Sequence, residues 1–207
     1  MNLKIFNNTM KNKKYIYIIY KSILYISVFF IILFISILIK KAYLRAYNDN
    51  LSKELLSSYN IVKLYGNSNN EIDSLNVDPF VIGIIRIEKI DLNYPILSDC
   101  NKDLLEISIC RFAGPLPNSI GNLCLAGHNY VDYRLFSRIN ELDTSDIIEI
   151  FDLNGKLLKY TVYDKFEIFS DDISCMSQQT SGQKIITLLT CNNVNGKRTV
   201  IKAKESK

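Results

Sequence analysis

TLLTCNNVNGKR, residues 187–198, ends a run of β-favouring residues on a cysteine, passes through Asn195-Gly196 and returns on an arginine. The flanks read as strands: KIITLLT (184–190) on one side and RTVIKAK (198–204) on the other are rich in β-branched residues. Asn-Gly between such runs is the strongest short hairpin signal. If Asn195 and Gly196 form a two-residue turn, Val194 pairs with Lys197, Asn193 with Arg198, and Cys191 with Val200. Cys191 and Arg198 are then diagonal neighbours on one face, about 7–8 Å apart at the β-carbons. A guanidinium reaches that far, so the turn brings a thiol and a permanent cation together.

Working outward, the same strand pattern recurs. VIGIIRI (81–87), LNYPIL (92–97), NLCLAG (122–127), DIIEIF (146–151) and KLLKYTVYDKFEIF (156–169) complete a set of seven runs, and Asn154-Gly155 supplies a second hairpin signal. NKDLLEISI (101–109) and YRLFSRI (133–139) read as short helices. Seven strands in this length predict a mainly β fold, a closed or nearly closed barrel with small helical insertions. A chain of 207 residues accommodates one sizeable core plus appendages.

The N-terminal part differs in composition. SILYISVFFIILFISILI (22–39) carries no charge, and YIYIIY (15–20) extends it upstream across Lys21. At ~1.5 Å per residue the stretch spans a bilayer core of about 30 Å. A cleaved signal peptide would have a shorter apolar region followed by small residues, whereas Lys40-Lys41-Ala42-Tyr43 follows here. Residues 1–41 hold seven lysines and no acid, leaving 18 basic against 21 acidic residues from 42 onward, a net of −3. Lys4, Lys11, Lys13, Lys14 and Lys21 outnumber Lys40, Lys41 and Arg45, which places the N-terminus in the cytoplasm and the remainder outside the membrane. Leu44, Tyr47, Leu51, Leu55, Tyr59 and Val62 recur at helical spacing. The expected layout is a basic tail (1–14), a transmembrane anchor (15–41), an amphipathic helical stalk (42–65), a polar linker (66–78) and a β-barrel domain (79–207). No basic patch with interleaved aromatics occurs beyond the anchor, so nucleic acid is not an expected partner.

A thiol beside a cation becomes an enzyme only when something manages the proton. The single histidine, His128, lies in LAGHNY (125–130), where a strand-like run meets a glycine. With LPNSIGNLCLAGHNY (116–130), TLLTC (187–191) and an arginine seven positions after the cysteine, residues 80–204 resemble the sortases, membrane-anchored cysteine transpeptidases of Gram-positive bacteria. IGIIRIEKIDLNYPIL (82–97) is similar to the family's opening strands, with Glu88 where proline is frequent. AGHNY, the LFSRINEL segment and the short Cys-to-Arg spacing are most similar to class D.

The resemblance implies an eight-stranded barrel and matches His128, Cys191 and Arg198 to the family's catalytic positions, with Cys191 the nucleophile. It implies a substrate ending in an LPxTG-like sorting signal and an amine acceptor from the cell wall or a pilin. At ordinary side-chain values, ~8.5 for cysteine and ~6.5 for histidine, a thiolate–imidazolium pair makes up about a per cent of molecules at neutral pH. Thr190 is either a strand residue or a hydroxyl lining the substrate groove, and Asn129 and Tyr130 either shape that groove or lie in a solvated loop. No cofactor is expected. Cys100, Cys110, Cys124 and Cys175 are expected to be unpaired, and no Cys-x-x-Cys supports a metal centre. The acids at 141, 143 and 146 and Asp171-Asp172 are candidate calcium ligands only by analogy with some sortases. Two rivals are a papain-like protease, whose nucleophile would head a helix, and a non-catalytic envelope scaffold for which Cys191 is dispensable.

Overall fold

The computed structural model describes residues 2–65, 81–192 and 196–206, with side chains described from Tyr15 to Tyr59 and from Val81 onward. The expected linker at 66–78 lies outside the described residues. A first helix, α1, runs Asn2–Tyr65, and the chain divides into two compact units, Met1–Tyr47 and Asn48–Lys207. In the first unit every side chain described from Tyr15 on is exposed. The most apolar 18 residues between Tyr15 and Tyr59 have a mean hydropathy of 2.9 with none of the window buried. A helix this apolar and this bare is compatible with a single-pass membrane anchor, because lipid would cover what water should not.

The second unit is a closed barrel. Its strands are β1 (Val81–Ile87), β2 (Leu92–Leu97), β3 (Ile109–Ala113), β4 (Gly121–Ala126), β5 (Ile147–Asp152), β6 (Leu157–Ile168), β7 (Lys184–Cys191) and β8 (Arg198–Glu205), with a short helix α2 (Lys102–Ile107) before β3. Around the barrel the order is β1-β2-β3-β4-β7-β8-β6-β5. Two pairings, β2 with β3 and β4 with β7, are parallel; the others are antiparallel. Closure leaves no unpaired edge for another chain to extend.

Ile85, Ile96, Ile109, Leu125, Ile150 and Leu188 fill the centre, all fully buried. Two further apolar clusters pack on the outside of the barrel. Leu55 and Tyr59 of α1 lie against Val81, Ile84, Leu97 and Cys110, and the Tyr59 hydroxyl donates to the backbone carbonyl of Asp152. On another face Leu189, Val200, Cys124, Ile168 and Cys175 pack together. β7 is therefore covered on both faces, which is why Ile186 to Thr190 are buried without a break rather than in alternation.

Three sequence expectations change. Cys191 pairs with Arg198, Thr190 with Thr199 and Leu189 with Val200, so the hairpin is not closed by a two-residue turn and Cys191 does not face Val200. Asn193 and Asn195 lie outside the described residues; beside them, Asn192 N–H donates to the Lys197 carbonyl at 2.7 Å and Gly196 has φ +71°. The stretch 133–139 is a series of turns rather than a helix, broken by positive φ at Tyr133 and Leu135, with Leu135 and Phe136 buried in the central core. Ile109–Ala113, assigned in part to a helix by sequence, supplies the eighth strand.

One buried polar cluster pins β4 to β7. The Asn122 amide donates to the carbonyls of Cys175 and Ser177, at 3.0 and 3.1 Å, while its oxygen accepts from Thr187 Oγ1 at 2.7 Å. Every polar atom of that side chain is engaged, so Asn122→Ala takes a partner from the buried Thr187 hydroxyl and Cys175 carbonyl and from the more exposed Ser177 carbonyl. The expected cost is about 3 kcal/mol. In thermal unfolding of the detergent-solubilised protein the midpoint should fall by roughly 6–12 °C, at 2–4 °C per kcal/mol for a unit of this size.

Candidate active site

Parallel pairing of β4 with β7 sets Ala126 beside Leu189, and Gly127 N–H donates to the Leu189 carbonyl at 3.2 Å. Continuing that register places His128, just past the end of β4, level with Cys191 at the end of β7. Arg198, the first residue of β8, lies directly across from Cys191. Directly opposed residues share a face of the sheet. The three side chains accordingly line one cavity of about 150 Å³, together with Cys100, Phe112 and Thr190.

The local sequence explains how the histidine is delivered there. A β-carbon on Gly127 would lie 2.8 Å from Ile109 Cδ1 and 2.9 Å from Phe136 ring atoms, so only glycine lets the chain pass this close to the core before His128. The Thr190 hydroxyl donates to the Gly127 carbonyl at 2.7 Å, and the Asn129 amide donates to the Cys191 carbonyl at 2.8 Å. Both bonds cross from the histidine strand to the cysteine strand. Thr190 is buried and also borders the cavity; Asn129 is half-buried.

Burial separates the five cysteines, all unpaired. Cys124 is fully buried and its thiol is pushed up to about 12, mainly by desolvation. Burial likewise raises Cys175. The thiol of Cys110 is raised by its hydrogen bond to Cys100 and by burial, while the same bond lowers Cys100. These three buried thiols cannot ionise usefully or meet a peptide. Cys191 alone is exposed.

Sequence reasoning singled out His128, Cys191, Arg198, Thr190 and Asn129, and all five meet at this end of the barrel. It did not find Cys100, Phe112 or Glu106, which enter from the α2–β3 region, where only the fold brings them alongside. Four of the five carboxylates considered for calcium have partners of their own. Lys89 Nζ bonds Asp143 at 3.2 Å and Asp146 at 2.7 Å, Glu141 pairs with Arg138 at 2.8 Å, and Asp172 caps Ser174 N–H at 2.8 Å. Among the described residues, no group of three or more His, Cys, Asp or Glu converges as metal ligands would.

Residues 85–206 match the sortase domain family. The chain belongs to the sortase family. Its members are transpeptidases, and solved structures agree with the assignment. The Clostridium perfringens sortase D5 transpeptidase is 26% identical, with 80% of this chain and 99% of that one covered at a TM-score of 0.58. Listeria monocytogenes sortase A is 26% identical, covering 62% and 88% at 0.57. Clostridium perfringens sortase C, solved with the C-terminal cell wall sorting motif, is 25% identical, covering 74% and 86% at 0.56. No curated protein matches the chain. The similar sortases thus come from classes A, C and D. In the sortase domain described here Glu88 begins a single 3-10 turn, Glu88–Ile90, after β1, so the residue that replaces the frequent proline leaves the strand path intact.

Proposed function

We propose that this sortase is a single-pass membrane enzyme of class D, with its N-terminus in the cytoplasm, that cleaves an LPxTG-like sorting signal and joins the released acyl group to an amine. In this reading residues 15–41 are the anchor, 42–65 the stalk, and the barrel works outside the membrane. The AGHNY motif and the match to a sortase D5 over 99% of its length support the class, and the sorting motif solved with a sortase C supports the substrate type. The acceptor is a cell-wall or pilin amine.

The observation that carries the reading is the direct cross-strand pairing of Cys191 with Arg198 in one cavity with His128. The Cys191 thiolate attacks the carbonyl of the threonine in the signal, forming a C–S bond and a tetrahedral oxyanion. Arg198, charged throughout, stabilises that oxygen or holds the adjoining peptide carbonyls. Collapse breaks the C–N bond, and His128 as imidazolium gives its proton to the departing amine. Neutral His128 then takes a proton from the incoming amine, which attacks the thioester and returns the thiolate. Thr190 and Asn129 position the two strand ends beside the groove rather than touching the reacting atoms.

The test is a peptide panel with the detergent-solubilised full chain and an added amine, products read by mass spectrometry. Cleavage of LPxTG-type peptides between threonine and glycine, with the amine joined to threonine, is expected. Hydrolysis of unrelated peptides with no preference for a sorting signal would sink the reading.

A further inference from the structure

The imidazole of His128 has a neighbour that the three-residue account omits. Its Nε2 atom is buried and makes no hydrogen bond, and 4.0 Å away lies Oε1 of Glu106. That carboxylate is not adrift. Its other oxygen, Oε2, accepts from the Tyr130 hydroxyl at 2.7 Å. Tyr130 follows His128 by two residues, with its ring 5.2 Å from the imidazole, and the Arg134 guanidinium stacks over the same ring at 4.6 Å. Glu106 belongs to α2, whose start is fixed by the Asn101 side chain accepting from Leu104 N–H at 2.9 Å. Leu104 and Leu105 pack on the outer apolar cluster. Both ends of the contact are thus held, one by α2 and the other by the strand that delivers the histidine.

We propose that Glu106 is a positioning residue for His128: its carboxylate faces Nε2, holds a proton on that nitrogen, and so leaves Nδ1 to exchange protons with thiol and substrate. This rests on the role given to His128 above. A carboxylate facing one ring nitrogen favours the tautomer with the proton on that nitrogen and leaves the other nitrogen as an acceptor. Nδ1 is then free to receive the proton when Cys191 S–H gives it up. The gap of 4.0 Å is longer than a hydrogen bond, and a small turn of either side chain closes it. The charged and titratable groups around the ring are Glu106 from α2, Tyr130 with Arg134 on it, and Cys191, Arg198 and Cys100 across the cavity. Among the described residues Glu106 is the one carboxylate there.

The experiment measures alkylation of Cys191 by iodoacetamide against pH in the full chain in detergent, read on the Cys191-containing peptide by mass spectrometry so that Cys100 does not interfere. Glu106→Gln keeps the side chain's shape and the Tyr130 contact but removes the charge. At pH 7 its rate should fall roughly three- to tenfold, the scale of a part-exposed charge pair. In strongly alkaline buffer, where hydroxide takes the proton and the histidine is no longer needed as acceptor, the two rates should converge. Glu106→Asp should recover part of the loss, and Tyr130→Phe, which frees the carboxylate, should show a smaller fall of the same form. A profile for Glu106→Gln that overlays the wild type, or one lowered equally at every pH, overturns the proposal. Because alkylation needs no sorting-signal peptide, failure of the transpeptidase reading would show separately, as a wild type that alkylates but cleaves none of the peptide panel.

Discussion

Cys191→Ala is expected to lower sorting-signal cleavage by about 10³-fold or more and to abolish the amine-joined product altogether. The magnitude follows from the chemistry: removing a covalent nucleophile leaves only binding and oxyanion stabilisation, a small residue of the full rate enhancement. Cys110, Cys124 and Cys175 cannot stand in, being buried with raised thiols. Cys100, half-buried, is the one other thiol on the cavity wall, so the double variant Cys191→Ala, Cys100→Ser serves as the control. The variant should fold as the wild type does, because the side chain is exposed. Turnover of peptide by Cys191→Ala at more than a hundredth of the wild-type rate would remove Cys191 from the mechanism. A wild type that turns over no peptide at all would instead bring back the envelope scaffold as the better account of the barrel.

The second large effect is at Arg198. Arg198→Ala should reduce kcat/KM by roughly 10²–10³-fold, the range for losing one oxyanion partner. Arg198→Lys keeps the charge but not the planar fork of donors, and should recover only part of that loss. The loss should fall on kcat more than on KM if the guanidinium meets charge that develops in the transition state. A change confined to KM would move Arg198 from oxyanion stabilisation to substrate holding. Steady-state kinetics on one LPxTG-type peptide separate the two.

The two-residue turn would have set Leu189 against Lys202 and Cys191 against Val200. The chain instead sets Leu189 against Val200 and Leu188 against Ile201, all four buried. Side-chain packing across the hairpin outweighs the Asn-Gly preference. The shift is two residues, an even number, so no side chain changes face. Cys191 and Arg198 share a face in either register, and the chemistry inferred from their proximity is untouched by the error. At 133–139 the apolar spacing of Leu135, Phe136 and Ile139 mimics a helix, yet those residues reach the core from successive turns. β3 was hidden because it is short and joins β2 through only two residue pairs, leaving little strand signal between α2 and Gly114. Glu106 could not be read at all. Nothing local marks one glutamate on a six-residue helix, and its meaning comes from a histidine delivered by another strand.

The bond from Thr190 to Gly127 joins residues 63 apart in sequence, across strands that run parallel. Parallel neighbours cannot be joined by a tight turn, so β5 and β6 are threaded through the far side of the barrel before β7 returns beside β4. Closing so long a segment is entropically slow compared with zipping a hairpin. The sulfur and the imidazole become neighbours only once that long segment has closed, so a chain folded only as far as β6 has strands but no assembled site.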